Sequence, residues 1–278
     1  MKILSCGAGM QSTALALISC EQTRGDVVYP QVPTYDAVIY CDLGNDPVWV
    51  AGQVEFIRKA CEACGIPFYV LESDLYGDYM KNFGYGRVSS IPFWTVDEQG
   101  KPGRLPRRAC TVDYKVLMIQ KFVRFELLGY RPHQRTRPED VGAHELHIGF
   151  SGEESRRRFD SKHPLFINRF PLIEMGWTRS DCYRYTLERR GLETKGSSCL
   201  ICPFHQNFYF QHLKDHAAAN YASVLDFDRM LEERQPISTI RNKIYISKSR
   251  KRIAELSPEE CNDAQTFEYQ GKQIWNGF

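Results

Sequence analysis

The opening twenty residues, MKILSCGAGMQSTALALISC, constrain the fold more than any other stretch. Lys2 to Cys6 form a short apolar strand. Gly7-Ala8-Gly9 is a turn that only small residues can make, and Gln11, Ser12 and Thr13 open a helix carrying Ala14, Leu15, Leu17 and Ile18. A strand, a glycine turn and a helix start, in that order, let backbone N–H groups approach an anion closely. The helix N-terminus adds its partial positive charge. Ser5, Gly7, Ala8, Gly9, Gln11, Ser12 and Thr13 are therefore candidates to hold a nucleotide's phosphates; plain helix–sheet packing is the competing use of such a turn.

Two common phosphate-binding patterns do not fit. A Walker loop needs Lys before the Ser or Thr, and Gln11 stands there. The dinucleotide pattern needs a third glycine where this chain has Ser12.

Further apolar strands alternate with helical stretches. Residues 38–41 form a second strand ending at Asp42-Leu43-Gly44, residues 47–64 a helix, and residues 67–71 a third strand. This alternation predicts an α/β fold with a parallel sheet flanked by helices. An acid such as Asp42 at a strand's C-terminal end lies on the edge where such sheets bind ligands. A second strand–ligand edge is predicted at residues 145–150, with Gly149 and then Glu153, Glu154 and Arg156 to Arg158. That run either binds an anion or is a solvated helix start with acids first and bases later.

Ten cysteines in a chain with no secretory signal point to thiols or metal ligands rather than a disulfide scaffold. Cys61 and Cys64 lie in the last turn of an amphipathic helix and are expected to be buried structural thiols. Residues 93–100 suit a hairpin. Arg104, Arg107 and Arg108 precede Cys110 at the start of a helix over 112–128, a setting expected to favour the thiolate. Thr178 or Ser180 caps a helix ending near Arg190. Cys199-Leu200-Ile201-Cys202-Pro203 in a Gly/Ser loop has metal-knuckle spacing, with Cys110 the natural third ligand. Three cysteines with an open position suit an iron–sulfur cluster, Cys₃His with His205 suits zinc, and a redox dithiol is a third reading. The chain is expected to be helical from 203 to 234, with a short strand at 243–246 and a basic run at 248–252. A tail over 257–278 is expected to pack through Phe267, Tyr269 and Trp275. The division predicted is 1–175 for the nucleotide-binding α/β part and 176–278 for a mostly helical, cysteine-bearing part.

Hydrophobic content of 42% and charged content of 25% are ordinary for a globular protein, and the net charge of +2 excludes nothing. With no apolar run long enough to span a bilayer, a cytoplasmic protein with no membrane partner is expected.

Taken together, four segments resemble the phosphoadenosine-phosphosulfate-reductase-like branch of the PP-loop, or adenine nucleotide alpha hydrolase, superfamily. They are Gly7–Ser12, on the PP-loop core Ser-Gly-Gly-x-Asp-Ser; Asp42-Leu43-Gly44; Arg108-Ala109-Cys110-Thr111 with Lys115; and Gly149 through Glu154 to Arg158. Pro171-Leu172, Trp177, Asp181 and the Cys199–Cys202 knuckle complete the set. The resemblance implies a HUP/Rossmann-like fold, ATP and Mg²⁺ at the loop, and attack of a substrate oxygen on the α-phosphorus, with pyrophosphate leaving. A sulfur or nitrogen nucleophile then displaces AMP. Arg107, Arg108, Lys115, Glu154 and Arg158 would meet the substrate. Members that thiolate tRNA use three cysteines for a [4Fe-4S] cluster, a role that would fall to Cys110, Cys199 and Cys202; enzymes of DNA phosphorothioation are similar. The expectation is an ATP-dependent, adenylate-forming sulfur transferase acting on a nucleic-acid base (tRNA or DNA) or nucleotide-like substrate. It would work with a sulfur-donor or electron-donor protein, with a homodimer as one arrangement. The alternatives are a sulfonucleotide reductase relative, although Glu260-Cys261-Asn262 lacks the Gly and His of that family's Glu-Cys-Gly-x-His ending, and a nucleotide-binding subunit with structural zinc.

Overall fold

A computed structural model describes residues 1–275. β1 (Lys2–Cys6) is the centre of a five-stranded, all-parallel sheet in the order β3–β2–β1–β6–β7. The other strands are β2 (Ala37–Asp42), β3 (Phe68–Glu72), β6 (His144–Ile148) and β7 (Phe166–Arg169). Leu4 sits opposite Val38 on one side and His147 on the other. The α/β fold with helices against a parallel sheet is thus present as expected. β7 was not foreseen: its four residues carry a weak apolar signal between polar loops.

The chain winds outward from β1 to β2 and β3 through α1 (Met10–Arg24) and α2 (Val48–Ala63), then returns to the far side of β1 as β6. The order of strands therefore reverses between β1 and β6, and the crevice beyond their C-terminal ends is where such sheets take ligands. β6 ends at Ile148, two residues earlier than the sequence predicts. There the Phe150 N–H turns back to the Ile148 carbonyl (2.9 Å) and frees Gly149 for the crevice.

α1 is buried along most of its length, from Met10 to Glu21, which explains its lack of a polar face. It lies between the sheet, α2 and α7 (Arg179–Arg190). Thr178 closes a capping box with Asp181 at the start of α7. Glu21 is buried at the α1–α7 contact. It accepts from Tyr185 Oη (2.8 Å) and Arg189 Nη2 (3.1 Å), with Arg190 at 3.8 Å.

A second apolar core joins distant parts of the chain: Leu75 and Tyr79 of α3 (Leu75–Asn82), Phe93, Leu200, Tyr209 of α8 (Asn207–His216) and Phe227 of α9 (Ala218–Arg234). Ala217 interrupts the single helix expected over 203–234 by taking φ −150°. The hairpin β4 (Trp94–Val96) and β5 (Pro102–Arg104) is completed by β8 (Lys243–Tyr245) into a three-stranded antiparallel sheet. The tail forms the hairpin β9 (Thr266–Tyr269) and β10 (Lys272–Trp275); its last three residues lie outside the described ones.

The helix after the arginines starts at α4 (Ala109–Thr111), before residue 112, because the Ser90 carbonyl accepts from both Ala109 N (2.9 Å) and Cys110 N (3.3 Å). It continues π-wound at Val112–Val116, α-helical at α5 (Leu117–Phe122) and π-wound again at Val123–Leu127. Among the described residues no helix is long and apolar enough to cross a membrane.

Replacing Glu21 by Ala leaves Tyr185 and two arginines without their acceptor. A loss of about 2–3 kcal/mol is expected in urea unfolding, at the low end for a buried ion pair because Arg189 is half exposed.

Candidate nucleotide and thiol site

The crevice between β1 and β6 opens into a cavity of about 580 Å³. One wall is the turn after β1. Ala8 takes φ +54°, a left-handed conformation that favours glycine, while Gly9 caps α1 from extended backbone. Ser12 does not point its hydroxyl freely at the cavity. Its Oγ accepts from Gly7 N (3.1 Å) and reaches the Gly9 carbonyl (3.4 Å), so it staples the loop from inside. Ser5, Gly7, Gly9, Gln11 and Ser12 all line the cavity. Thr13 and Ala8 are fully buried and lie outside the lining.

Gly149, at the exit of β6, closes on the start of α1. A Cβ there would stand 3.1 Å from Ser12 N and 3.3 Å from its Cα. Asp42 is not in the lining: its Oδ1 accepts from Gly44 N (2.8 Å) and shapes its own turn, which leaves Leu43 facing the cavity. The neighbouring Asn45 and Asp46 leave the start of α2 uncapped. Val48 N is taken by Asn220 Oδ1 of α9 at 2.8 Å, and Asp46 accepts from Tyr40 Oη at 2.5 Å.

The opposite wall is the cysteine segment. Cys199 and Cys202 line the cavity together with Cys110, Thr111 and Lys115. The segment is hung on the loop by groups the sequence reading passed over. Gln53 of α2, almost fully buried, donates to the Ala8 and Lys195 carbonyls and accepts from Lys195 N (2.6 Å). Trp49 Nε1 donates to the Gly196 carbonyl (2.7 Å), and Leu200 N donates to the Asn45 carbonyl (3.0 Å). A Cβ on Gly9 would stand 2.8 Å from Ser197 Oγ, so the loop and the cysteine segment touch at this glycine.

The three thiols have different electrostatics. Cys110 was expected to be the thiolate; instead burial raises it, and the Cys202 charge raises it further, against a smaller lowering by Arg108. Cys202 is the lowered thiol, brought to about 6. A hydrogen bond from Cys199 is the main cause, opposed by burial and helped by Arg108. Cys199, the donor of that bond, is pushed well up. His205 is buried, and its Nε2 faces the Cys199 carbonyl (2.8 Å) while its ring stacks on Tyr209 at 3.5 Å. It is absent from the cavity lining. Among the described residues no three His, Cys, Asp or Glu side chains gather closely enough to hold a single metal ion. Cys61 and Cys64 lie elsewhere, as expected: Cys61 is fully buried with its sulfur 3.9 Å from Cys20, and Cys64 Sγ is 3.0 Å from the Ala60 carbonyl.

The third wall is charged. Glu154 accepts from Gln11 Nε2 (2.5 Å) and pairs with Arg157 and with Arg179 (3.3 Å). Gln11 thus bridges the loop to the turn after β6. Arg104, Arg108, Lys115, Arg157 and Arg179 bring five cations to the lining. Two expected substrate residues are elsewhere. Arg158 lies over the Phe170 ring (5.8 Å), its place at the cavity taken by Arg157, because the 3₁₀ turn Gly152–Arg157 ends there. Arg107 lines a separate hollow beside Arg87. Arg179 is beyond the reach of local sequence patterns, since only the packing of α7 on α1, with its first residue against the turn after β6, brings it in.

Gly9→Ala is expected to cost about 1–3 kcal/mol through the clash with Ser197, and Ser197→Ala in the same chain to restore most of it; thermal melts of the two variants check this. In protein freed of metal, alkylation of Cys202 followed by mass spectrometry should rise with pH about a midpoint near 6. Arg108→Gln should move that midpoint upward, because the lost cation no longer favours the thiolate.

No protein-family model matches the chain and no curated protein matches it, so the chemistry of this cavity is what points to a function.

Proposed function

We propose that the chain is an ATP-dependent, adenylate-forming sulfur transferase whose acceptor is a nucleic-acid base or a nucleotide-like molecule. The observation that carries this reading is that a glycine-turn anion site and three cysteines face each other across one cavity. Phosphate binding alone would not need the thiols, and a structural thiol clip would not need to line the cavity.

The Gly9 amide and the N-terminus of α1 would receive the triphosphate, the Gly7 N–H being held by Ser12 Oγ. Ala8 supports this, since its left-handed backbone stands where the PP-loop pattern has its first glycine. Lys115 and the guanidiniums of Arg108 and Arg157 would stabilise the charge that grows on the departing pyrophosphate. An acceptor oxygen attacks the α-phosphorus, and the O–P bond to pyrophosphate breaks. A sulfur nucleophile then displaces AMP from the activated acceptor. Gln11 has no carboxylate, and Glu154, the one acid lining the cavity among the described residues, is already bonded to Gln11, Arg157 and Arg179. The residues present therefore offer Mg²⁺ no free acid.

Cys110, Cys199 and Cys202 are the residues that would hold an iron–sulfur cluster. Such a cluster, when bound, supplies an open iron position for the sulfur to be transferred. The donor set suits it better than zinc. In a cluster each thiolate meets a different iron, so the sulfurs need not crowd round one ion, and His205 is turned to a carbonyl rather than offered as a fourth ligand. The sulfonucleotide reductase alternative is weaker: Cys261 is buried, raised by burial, and outside the cavity lining.

Anaerobic purification with iron and sulfide analysis, followed by ATP–pyrophosphate exchange in the presence of candidate RNA, DNA and nucleotide acceptors, tests the reading. About four irons and four sulfides per chain are expected, with loss of the iron in Cys199→Ala and retention of ATP binding. A colourless protein with about one zinc and no exchange would overturn it.

A further inference from the structure

The cavity mouth carries an alternation of guanidinium groups and aromatic rings. Arg108 and Arg104 lie 5.0 and 5.1 Å from the centre of the Phe204 ring. Arg104 also lies 5.6 Å from the Trp94 ring, which Arg250 faces at 5.2 Å. The result is a ladder, Arg108–Phe204–Arg104–Trp94–Arg250. Its lower end is fixed: Arg250 donates to the Thr95, Lys248 and Gly103 carbonyls, and Trp94 Nε1 donates to the Pro203 carbonyl at 2.7 Å. Its upper end is exposed, and Arg104 and Arg108 have no carboxylate partner among the described residues.

The ladder continues past the cavity. Arg107 and Arg108 are consecutive yet line different hollows, so the two hollows share a wall. The second, of about 460 Å³, is lined by Arg87, Ser89, Ser90 and Arg107 and by one acid, Asp113. Arg87 and Arg107 are exposed and likewise without a carboxylate partner among the described residues; Asp113, in the same lining, is engaged by Ser89, whose Oγ donates to it at 2.7 Å. Cations line both hollows. A chain of phosphates would use both. The net charge of +2 does not draw polyanions to the molecule as a whole, so the positive character of this strip is local.

We infer that the ladder and the second hollow form a track for a single-stranded nucleic acid. Rings flanked by guanidinium planes give bases a stacking surface, and the exposed arginines neutralise successive phosphates. One base sits at the mouth beside Phe204, above the cysteines. Its neighbours run over Arg107 towards Arg87. A duplex could not present a base to the cavity without unpairing it. This deepens the sulfur-transfer reading, on which it rests, by naming the form of the acceptor.

The test is fluorescence anisotropy with a labelled single strand of about 12 nucleotides, as RNA and as DNA, over a salt series. The wild-type protein should bind at least one of the two, with affinity falling steeply as salt rises. Arg87→Gln/Arg107→Gln should flatten the log–log salt slope by about 1.4, two phosphate contacts at roughly 0.7 each. Phe204→Leu should weaken binding about tenfold with little change in slope. Thermal melts show whether each variant is folded. Failure of the folded wild-type protein to bind either strand overturns the track, as does an unchanged slope in the double variant, or AMP competing as well as the oligonucleotide. ATP–pyrophosphate exchange on the same wild-type sample separates the two readings. Exchange without strand binding removes the track and leaves adenylation. Strand binding that follows the predicted slopes, without exchange, supports the track and removes sulfur transfer.

Discussion

The close approach of the β6 exit to the first turn of α1 is the constraint on which this molecule depends. Gly149 fits against Ser12 only because it has no side chain, and that fit sets the width of the crevice between the two strands. β1 is the middle of the sheet and α1 is buried against it, so the glycine turn between them is held by the most rigid part of the fold. The turn's backbone is thereby held in one conformation. Ser12 reinforces the same geometry from inside the turn, and the left-handed backbone of Ala8 is held there by the packing around it.

The rest of the site is attached to that turn through a few buried polar contacts. Gln53 pairs with backbone groups on both sides, at Ala8 and Lys195, and so couples the glycine turn to the segment that carries Cys199 and Cys202. Buried amides of this kind are costly when unpaired, which makes the coupling stiff. On the other flank Gln11, Glu154, Arg157 and Arg179 tie the loop to the turn after β6 and to α7. The same tertiary framework sets the thiol order. Cys202 is lowered by the Cys199 hydrogen bond, whereas Cys110, at a helix start beside arginines, is raised because burial outweighs the nearby charge.

Much of the fold was legible in the chain. The strand–turn–helix opening, the alternation of apolar strands with amphipathic helices and the Thr178 capping box are local signals, and local signals survive without tertiary context. The site was legible where its residues belong to short motifs: the turn at Gly7–Gly9, Gly149, and the Cys199–Cys202 pair. It was not legible where a side chain's direction depends on how two elements dock. Arg107 and Arg158 lie one residue away from Arg108 and Arg157 in the sequence, and backbone twist sends each pair to different places. β7 was missed because a four-residue edge strand acquires its identity only from its pairing with β6.

The sequence by itself determined the parallel α/β scaffold, the glycine turn between its first strand and helix, and the presence of a closely spaced cysteine pair, because each is written in residues within a few positions of one another. Only the tertiary structure decided that the turn and the knuckle share one cavity, that Cys110 joins them there, and that Arg104, Phe204 and Trp94 line up at its mouth. Those groups come from segments about a hundred or more residues apart. Their meeting follows from where the sheet reverses its strand order and from the second core that packs α3 and Phe93 against α8 and α9.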